Sequence, residues 1–341
     1  MSIKEWINTN ESAKEMLERV LTERPFLLLP PLHRVPLRVG NVVEIVGPSP
    51  SAKTEILIQA AISCVLPKQW NGVHYGGLER LVMYIDLDCR FDILRLSQSL
   101  KLRIMETKRS SDQIDWSREE GLCKYKETKE TIADFDEDLF LACMRRFLYV
   151  CCYNSFEFLS TLKTLHYQLQ KESEAHGVAV HFLMIDSISA FYWIDRASTP
   201  LPLGFDKRKS LSLQTVAETV VQEIRKLLQM QPMLVLVTKA TLFGDGSLTS
   251  NAKRTFRKWH SQDTSYLRTL QLDDQKYLHR EYMPSVWQLF ITHRILLRVS
   301  DEECANAESR STPIYVSEWL LPSLSFVDKF MVKDAGISMV T

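Results

Sequence analysis

The feature that most constrains this chain is an eight-residue turn, GPSPSAKT (47–54). It follows a short β-branched run, NVVEIV (41–46), and opens an apolar stretch of helical character, TEILIQAAISCVL (54–66). A strand that turns tightly and leaves as a helix aims backbone N–H groups and the positive end of the helix dipole at one spot, which suits a phosphate. The spacing approaches the phosphate-loop pattern G-x-x-x-x-G-K-[ST]. Gly47, Pro48, Ser49, Pro50, Ser51, Ala52, Lys53 and Thr54 are therefore the expected nucleotide-binding residues. In such a loop Lys53 reaches the β- and γ-phosphates and Thr54 ligates Mg²⁺, so ATP and Mg²⁺ are the cofactors to expect. Ala52 stands where the pattern asks for its second glycine. If that position needs a positive φ, alanine costs roughly 1–2 kcal/mol, a loss of affinity of about tenfold or more. Nucleotide binding is then weakened but not abolished. The competing reading is a chance strand–turn–helix that happens to contain AKT.

The rest of the chain repeats the same alternation. LVMYIDLD (81–88), RFLYVCC (146–152), VAVHFLMID (178–186) and MLVLVT (233–238) read as strands, separated by helices at 91–103, 155–175 and 211–230. Strands apolar on both faces, alternating with helices, predict an α/β fold with a mostly parallel sheet covered on both sides. HFLMID ends in Asp186, an apolar run closing on a carboxylate as in a Walker B strand, where the acid lies near Mg²⁺. An aspartate that merely caps the next turn is the alternative. VWQLFITHRILLRV (286–299) and YVSEWLL (315–321) predict strands at the far edge of the sheet.

Three segments break the rhythm. Residues 1–39 read as an amphipathic helix (11–24, with Met16, Leu17, Val20 and Leu21 on one face) followed by a proline-rich extended linker, ahead of a core spanning 40–341. Residues 104–137 are polar and charged and predict a mobile surface insertion. Residues 240–282 form a long polar stretch with a basic centre.

The 42 basic and 42 acidic residues cancel. Any attraction to nucleic acid must therefore come from local clusters. Two loops offer them: Lys207, Arg208 and Lys209 after the fourth strand, and Lys253, Arg254, Arg257 and Lys258 after the fifth, the latter with Phe256 and Trp259 interleaved. Basic residues can track phosphates while aromatics stack bases; solvated loop charges or a nuclear-import signal are the plainer readings. Seven cysteines without a CxxC pair argue for buried free thiols in a reducing compartment. No secretory leader is visible at the N-terminus, so an intracellular protein is expected.

IDSISAFYWIDR (185–196), and SAFYWIDR within it, resembles the segment after Walker B in the eukaryotic RecA-type recombinases and their paralogues. GPSPSAKTEILIQAAISCVLP and DLDCRFDILRL (86–96) resemble the same family, and the likeness runs with interruptions from about Asn41 to Val299. The resemblance implies a RecA-like P-loop ATPase core and a nuclear role in homologous-recombination repair of DNA double-strand breaks. It also implies a hetero-oligomeric complex of recombinase paralogues as partner, with single-stranded or branched DNA as ligand. In recombinases the loops that match the two basic clusters touch DNA.

The departures from the family matter as much. Asp88 stands where recombinases place a catalytic glutamate after the second strand, one methylene shorter. A carboxylate displaced by about 1 Å costs on the order of 100-fold in rate, so Asp88 is a doubtful catalytic residue. Ala240 stands where a glutamine senses the γ-phosphate. With Ala52, these changes predict a chain kept for assembly, a degenerate DNA-dependent ATPase at most. An active DNA-dependent ATPase, or an unrelated P-loop nucleotide kinase, are the alternatives; the kinase reading lacks an arginine-rich lid.

Overall fold

The computed structural model describes residues 12, 14, 29–116, 135–197, 212–241, 268–269, 278–279, 281–300, 313–334 and 336–340. In chain order the elements begin with a 3₁₀ turn (Leu32–Arg34), β1 (Val42–Gly47), α1 (Lys53–Val65), β2 (Gln69–Trp70), β3 (Val73–His74) and β4 (Leu81–Asp86). There follow α2 (Ile93–Trp116), α3 (Glu137–Arg145), β5 (Phe147–Cys151), α4 (Ser155–His176), β6 (Val180–Asp186), α5 (Tyr192–Ala197) and α6 (Leu213–Met230). The last are β7 (Leu234–Ala240), β8 (Arg268–Thr269), β9 (Leu278–His279), α7 (Ser285–Phe290), β10 (His293–Val299), β11 (Ile314–Leu321), β12 (Ser323–Lys333) and β13 (Gly336–Val340). Among the described residues no helix is long and apolar enough to cross a membrane.

Nine strands form one sheet in the order β5-β4-β6-β7-β1-β10-β11-β12-β13. Pairing is parallel from β5 through β10 and antiparallel beyond it. Every residue of β1 and β4 is buried, as strands covered on both faces require. Successive side chains go to opposite layers. Val43 and Ile45 meet Ile56, Ile62, Leu96 and Leu100 of α1 and α2. Val42 belongs with Phe158, Leu162, Val220, Ile224 and Trp287 of α4, α6 and α7. The mostly parallel α/β sheet expected from the sequence is the one observed.

Several boundaries differ from the expectation. The helix after β4 continues to Trp116, through the first part of the stretch read as an insertion, because Ile104 still reaches the core; residues 117–134 lie outside the described residues. α3 was not foreseen. Asp136 caps it by accepting a hydrogen bond from the Leu139 N–H at 2.9 Å, and Glu137 and Asp138 occupy its first turn. The run 286–299 is a short helix followed by a strand, not one strand. Pro284 opens α7, whose Trp287 and Phe290 are buried, and Ile291 returns to extended backbone. β11 is not the sheet edge either, since β12 and β13 continue beyond it.

The proline-rich segment is not simply extended. Leu29, Leu32, Val35 and Leu37 are buried in the α1–α2 layer. Arg34 makes a bidentate pair with Asp328 of β12, with contacts of 2.7 to 3.2 Å. Of the amphipathic helix at 11–24, all but Ser12 and Lys14 lie outside the described residues. The thiols at Cys64, Cys143 and Cys152 are buried as expected, but Cys89 is exposed and Cys151 half-buried.

The sheet centre holds a four-charge cluster. Glu44 of β1 sits opposite Arg294 of β10 and is bonded to it at 2.5 Å. Lys239 of β7, fully buried, lies 3.2 Å from Glu44 and 2.8 Å from Glu281. Arg294 reaches Glu281 at 3.0 Å, and the Trp287 indole N–H donates to Glu44 at 2.8 Å. Two cations and two carboxylates thus neutralise one another where an unpaired charge would be very costly. Lys239→Met should therefore lower the unfolding free energy by roughly 3–5 kcal/mol, read by urea denaturation; a loss below about 1 kcal/mol would show that the cluster is energetically idle.

Candidate nucleotide site

β1 delivers the chain to the loop at Gly47, where only a glycine fits. A Cβ there would press on the Ser51 side chain and lie 2.6 Å from the Leu297 carbonyl oxygen. The loop closes on Ala52, which adopts φ 60° and ψ 17°. This is the left-handed conformation that glycine tolerates and that costs a residue with a Cβ roughly 1–2 kcal/mol. The condition set by the sequence reading is met: the second-glycine position does need a positive φ. α1 then starts at Lys53 with no side-chain cap on its N-terminus, leaving its first N–H groups to face the loop.

Lys53 bends back over the loop. Its ammonium donates to the carbonyls of Gly47 and Pro48, both at 2.8 Å, and to Ser51 Oγ at 3.2 Å. Desolvation lowers the Lys53 pKa from its ordinary value to about 8, against the opposing pull of Asp186 and Asp88. Thr54, one residue on, donates its hydroxyl to Asp186 Oδ2 at 2.7 Å. The P-loop threonine and the carboxylate closing β6 thus come together, although 132 residues separate them in sequence.

Asp186 has two more partners that sequence reading missed. Tyr84 OH of β4 donates to Oδ2 at 2.7 Å, and Thr238 of β7 donates to Oδ1. β4 and β7 flank β6 in the sheet. The available signal was the in-strand offset, Tyr84 two residues before Asp86 and Thr238 two before Ala240, but it acquires meaning only with the strand order. Burial first, then the neighbouring Asp186, pushes the Tyr84 phenol well above its usual range, so it remains a donor.

Asp88 follows β4 on an exposed turn, its backbone N–H 3.3 Å from the Asp186 carbonyl. Although the residue is exposed, partial desolvation of its carboxyl, with the Asp186 charge nearby, raises its pKa above the usual carboxylate range. Asp86, the last residue of β4, accepts from the Phe91 N–H and the Tyr149 hydroxyl, both at 3.0 Å. At the end of β7 Ala240 carries only backbone contacts: its N–H donates to Ser189 Oγ at 3.1 Å and its carbonyl accepts from Tyr282 OH. A methyl group stands where the family pattern asks for an amide.

The residues present fit a magnesium-bound triphosphate. A helix N-terminus, an ammonium, a hydroxyl and a carboxylate converge, and the loop already adopts the required left-handed turn. Among the described residues there is no group of three or more His, Cys, Asp or Glu that could hold a metal ion. Lys207, Arg208, Lys209, Lys253, Arg254, Arg257 and Lys258, with Phe256 and Trp259, lie outside the described residues.

No protein-family model matches the chain. It is 52% identical over 333 residues to the DNA repair protein XRCC2 homolog of Arabidopsis thaliana, covering 96% of this chain and 88% of that protein. It is 25% identical over 298 residues to the DNA repair protein XRCC2 of Mus musculus, covering 87% of this chain and 84% of that protein. The mostly parallel central sheet with helices around it is consistent with a RecA-like core, and with half its residues shared across nearly its whole length, the chain belongs to the XRCC2 family.

Proposed function

We propose that this chain acts in homologous-recombination repair of DNA double-strand breaks. In this reading it is a nuclear subunit of a recombinase-paralogue complex that binds ATP and Mg²⁺ weakly and serves assembly and DNA contact more than turnover. The DNA-repair names of its relatives in Arabidopsis thaliana and Mus musculus support the process. The observation that carries the weak-binding part is Lys53, whose ammonium is held by the Gly47 and Pro48 carbonyls and must be released before it can meet a phosphate.

Lys53 and the N-terminus of α1 would hold the phosphates, and Thr54 and Asp186 would hold the metal. Magnesium bound with ATP would supply the positive charge that balances the triphosphate against Asp186. Lys53 would have to leave the Gly47 and Pro48 carbonyls to reach a phosphate, exchanging two neutral acceptors for a charged one. Turnover has weaker support. Asp88 is short for the glutamate position, and Ala240 has no side chain to sense the γ-phosphate.

The unliganded loop already holds Ala52 at φ 60°, so the backbone penalty falls on folding. Ala52→Gly should therefore raise the unfolding free energy by roughly 1 kcal/mol, read by urea denaturation of the purified full chain; unchanged or lower stability would show that the left-handed turn carries no strain.

The lysine sets a pH dependence. Phosphate binding favours the charged ammonium, whose pKa in the protein is about 8. Below that pH the lysine is already charged and affinity should be nearly flat. Above it each binding event must take up a proton. ATP affinity should therefore fall about tenfold between pH 7 and pH 9, and the fall should disappear in Lys53→Met. A wild-type affinity that stays level to pH 9 would contradict the role given to Lys53.

A further inference from the structure

Cys89 and Cys151 meet at the rim of the nucleotide site, their sulfurs 3.2 Å apart in a thiol–thiol hydrogen bond. Cys89 belongs to the turn that leaves β4, immediately after Asp88. Cys151 is the last residue of β5, paired in register with Asp86. The turn is held from both sides: the Leu87 and Asp88 N–H groups donate to the Asp186 carbonyl, and the Cys152 N–H donates to the Asp86 carbonyl at 2.9 Å. Cys89 sits at φ 53°, a conformation uncommon for a residue with a side chain, and its thiol ends on another thiol. Cys89 is exposed and Cys151 half-buried, so a small oxidant can reach the pair. Cys152, the adjacent thiol, is buried and contacts Thr161 at 3.5 Å, which leaves it out of the pair.

We propose that Cys89 and Cys151 form a redox-active dithiol, a modification site that closes to a disulfide on two-electron oxidation by a hydroperoxide. The Cys89 thiolate attacks one peroxide oxygen. The O–O bond breaks, hydroxide leaves and takes up the thiol proton as water, and Cys89 becomes a sulfenic acid. The Cys151 sulfur then attacks the Cys89 sulfur, the S–O bond breaks, and the departing oxygen carries the Cys151 proton away as a second water. One hydrogen peroxide is reduced to two waters and one S–S bond is gained. The sulfurs need to close to about 2.0 Å, a side-chain movement of about 1 Å. The hydrogen bond shared with Cys151, more than burial, raises the Cys89 thiol to about 11, so Cys89 is mostly protonated at neutral pH and oxidation is slow. The bond would tie the turn carrying Asp88 to β5.

Reduced full-length protein, freed of reductant, is exposed to hydrogen peroxide. Remaining thiols are capped with N-ethylmaleimide, and non-reducing digests are read by mass spectrometry. A Cys89–Cys151 linked peptide, two hydrogens lighter than its parts and lost on reduction, is the expected result. The oxidised protein should melt roughly 5 °C higher than the reduced one, and Cys89→Ser should abolish both the link and the shift. In Cys151→Ser the oxidant should stop at a dimedone-reactive sulfenic acid on Cys89. Oxidation of Cys89 without a link to Cys151, a Cys151–Cys152 link, or two thiols still fully alkylated after treatment would each overturn the proposal.

Discussion

The Asp186 carboxylate is the point through which the centre of this molecule is tied together. It lies at the C-terminal end of β6, nearly buried, and it accepts hydroxyl hydrogen bonds from Thr54 on α1, Tyr84 on β4 and Thr238 on β7. A carboxylate so deep must be satisfied by donors, and these come from both flanking strands and from the helix that follows the phosphate loop. The strand order β4-β6-β7-β1 allows it. β4 and β7 flank β6, and β1, one strand further, delivers the loop and α1 over the same edge. Removing the carboxylate would leave three hydroxyls without their acceptor, so the residue that would hold the metal also holds the edge of the sheet.

In the function proposed here, the site would hold a nucleotide better than it would act on one. Lys53, Thr54 and Asp186 are in place. The positions that would act on an attacking water or sense the terminal phosphate are short or empty: Asp88 lies on an exposed turn with its carboxyl shifted toward the neutral form, and Ala240 offers only backbone. The left-handed turn at Ala52 is a cost of folding that does not undo the fold, because roughly 1–2 kcal/mol is small beside the burial of a nine-stranded sheet. Beneath the loop, the Glu44–Lys239–Glu281–Arg294 cluster joins β1, β7 and β10. It keeps the end of β7 rigid next to Ala240, with no side chain there to exploit the rigidity.

What could be read from the sequence was whatever depends on short periodic signals. The loop, α1 and the strands β1, β4, β5, β6 and β7 were legible because their apolar runs are bounded by turns. Asp186 and Thr54 could be paired by motif, but Tyr84 and Thr238 could not, since their role depends on which strands are neighbours. VWQLF looked like strand because a short apolar run fits either state; Pro284 and the burial of Trp287 and Phe290 decide for helix. β12 and β13 went unread because β12 exposes many of its residues and gives no clear alternation. The pairing of Lys239 and Arg294 with Glu44 and Glu281 could not be read either, because it depends on the register of β7 and β10 against β1. Cys89 and Cys151, separated by 62 positions, carried no motif at all.

The central proposal is a site that binds nucleotide without turning it over, and phosphate release by the purified full chain tests it most directly. With ATP, Mg²⁺ and single-stranded DNA present, release should be no faster than in Lys53→Ala protein measured alongside. Release that depends on Lys53 and rises on adding the DNA would contradict the account and identify the chain as an active DNA-dependent ATPase.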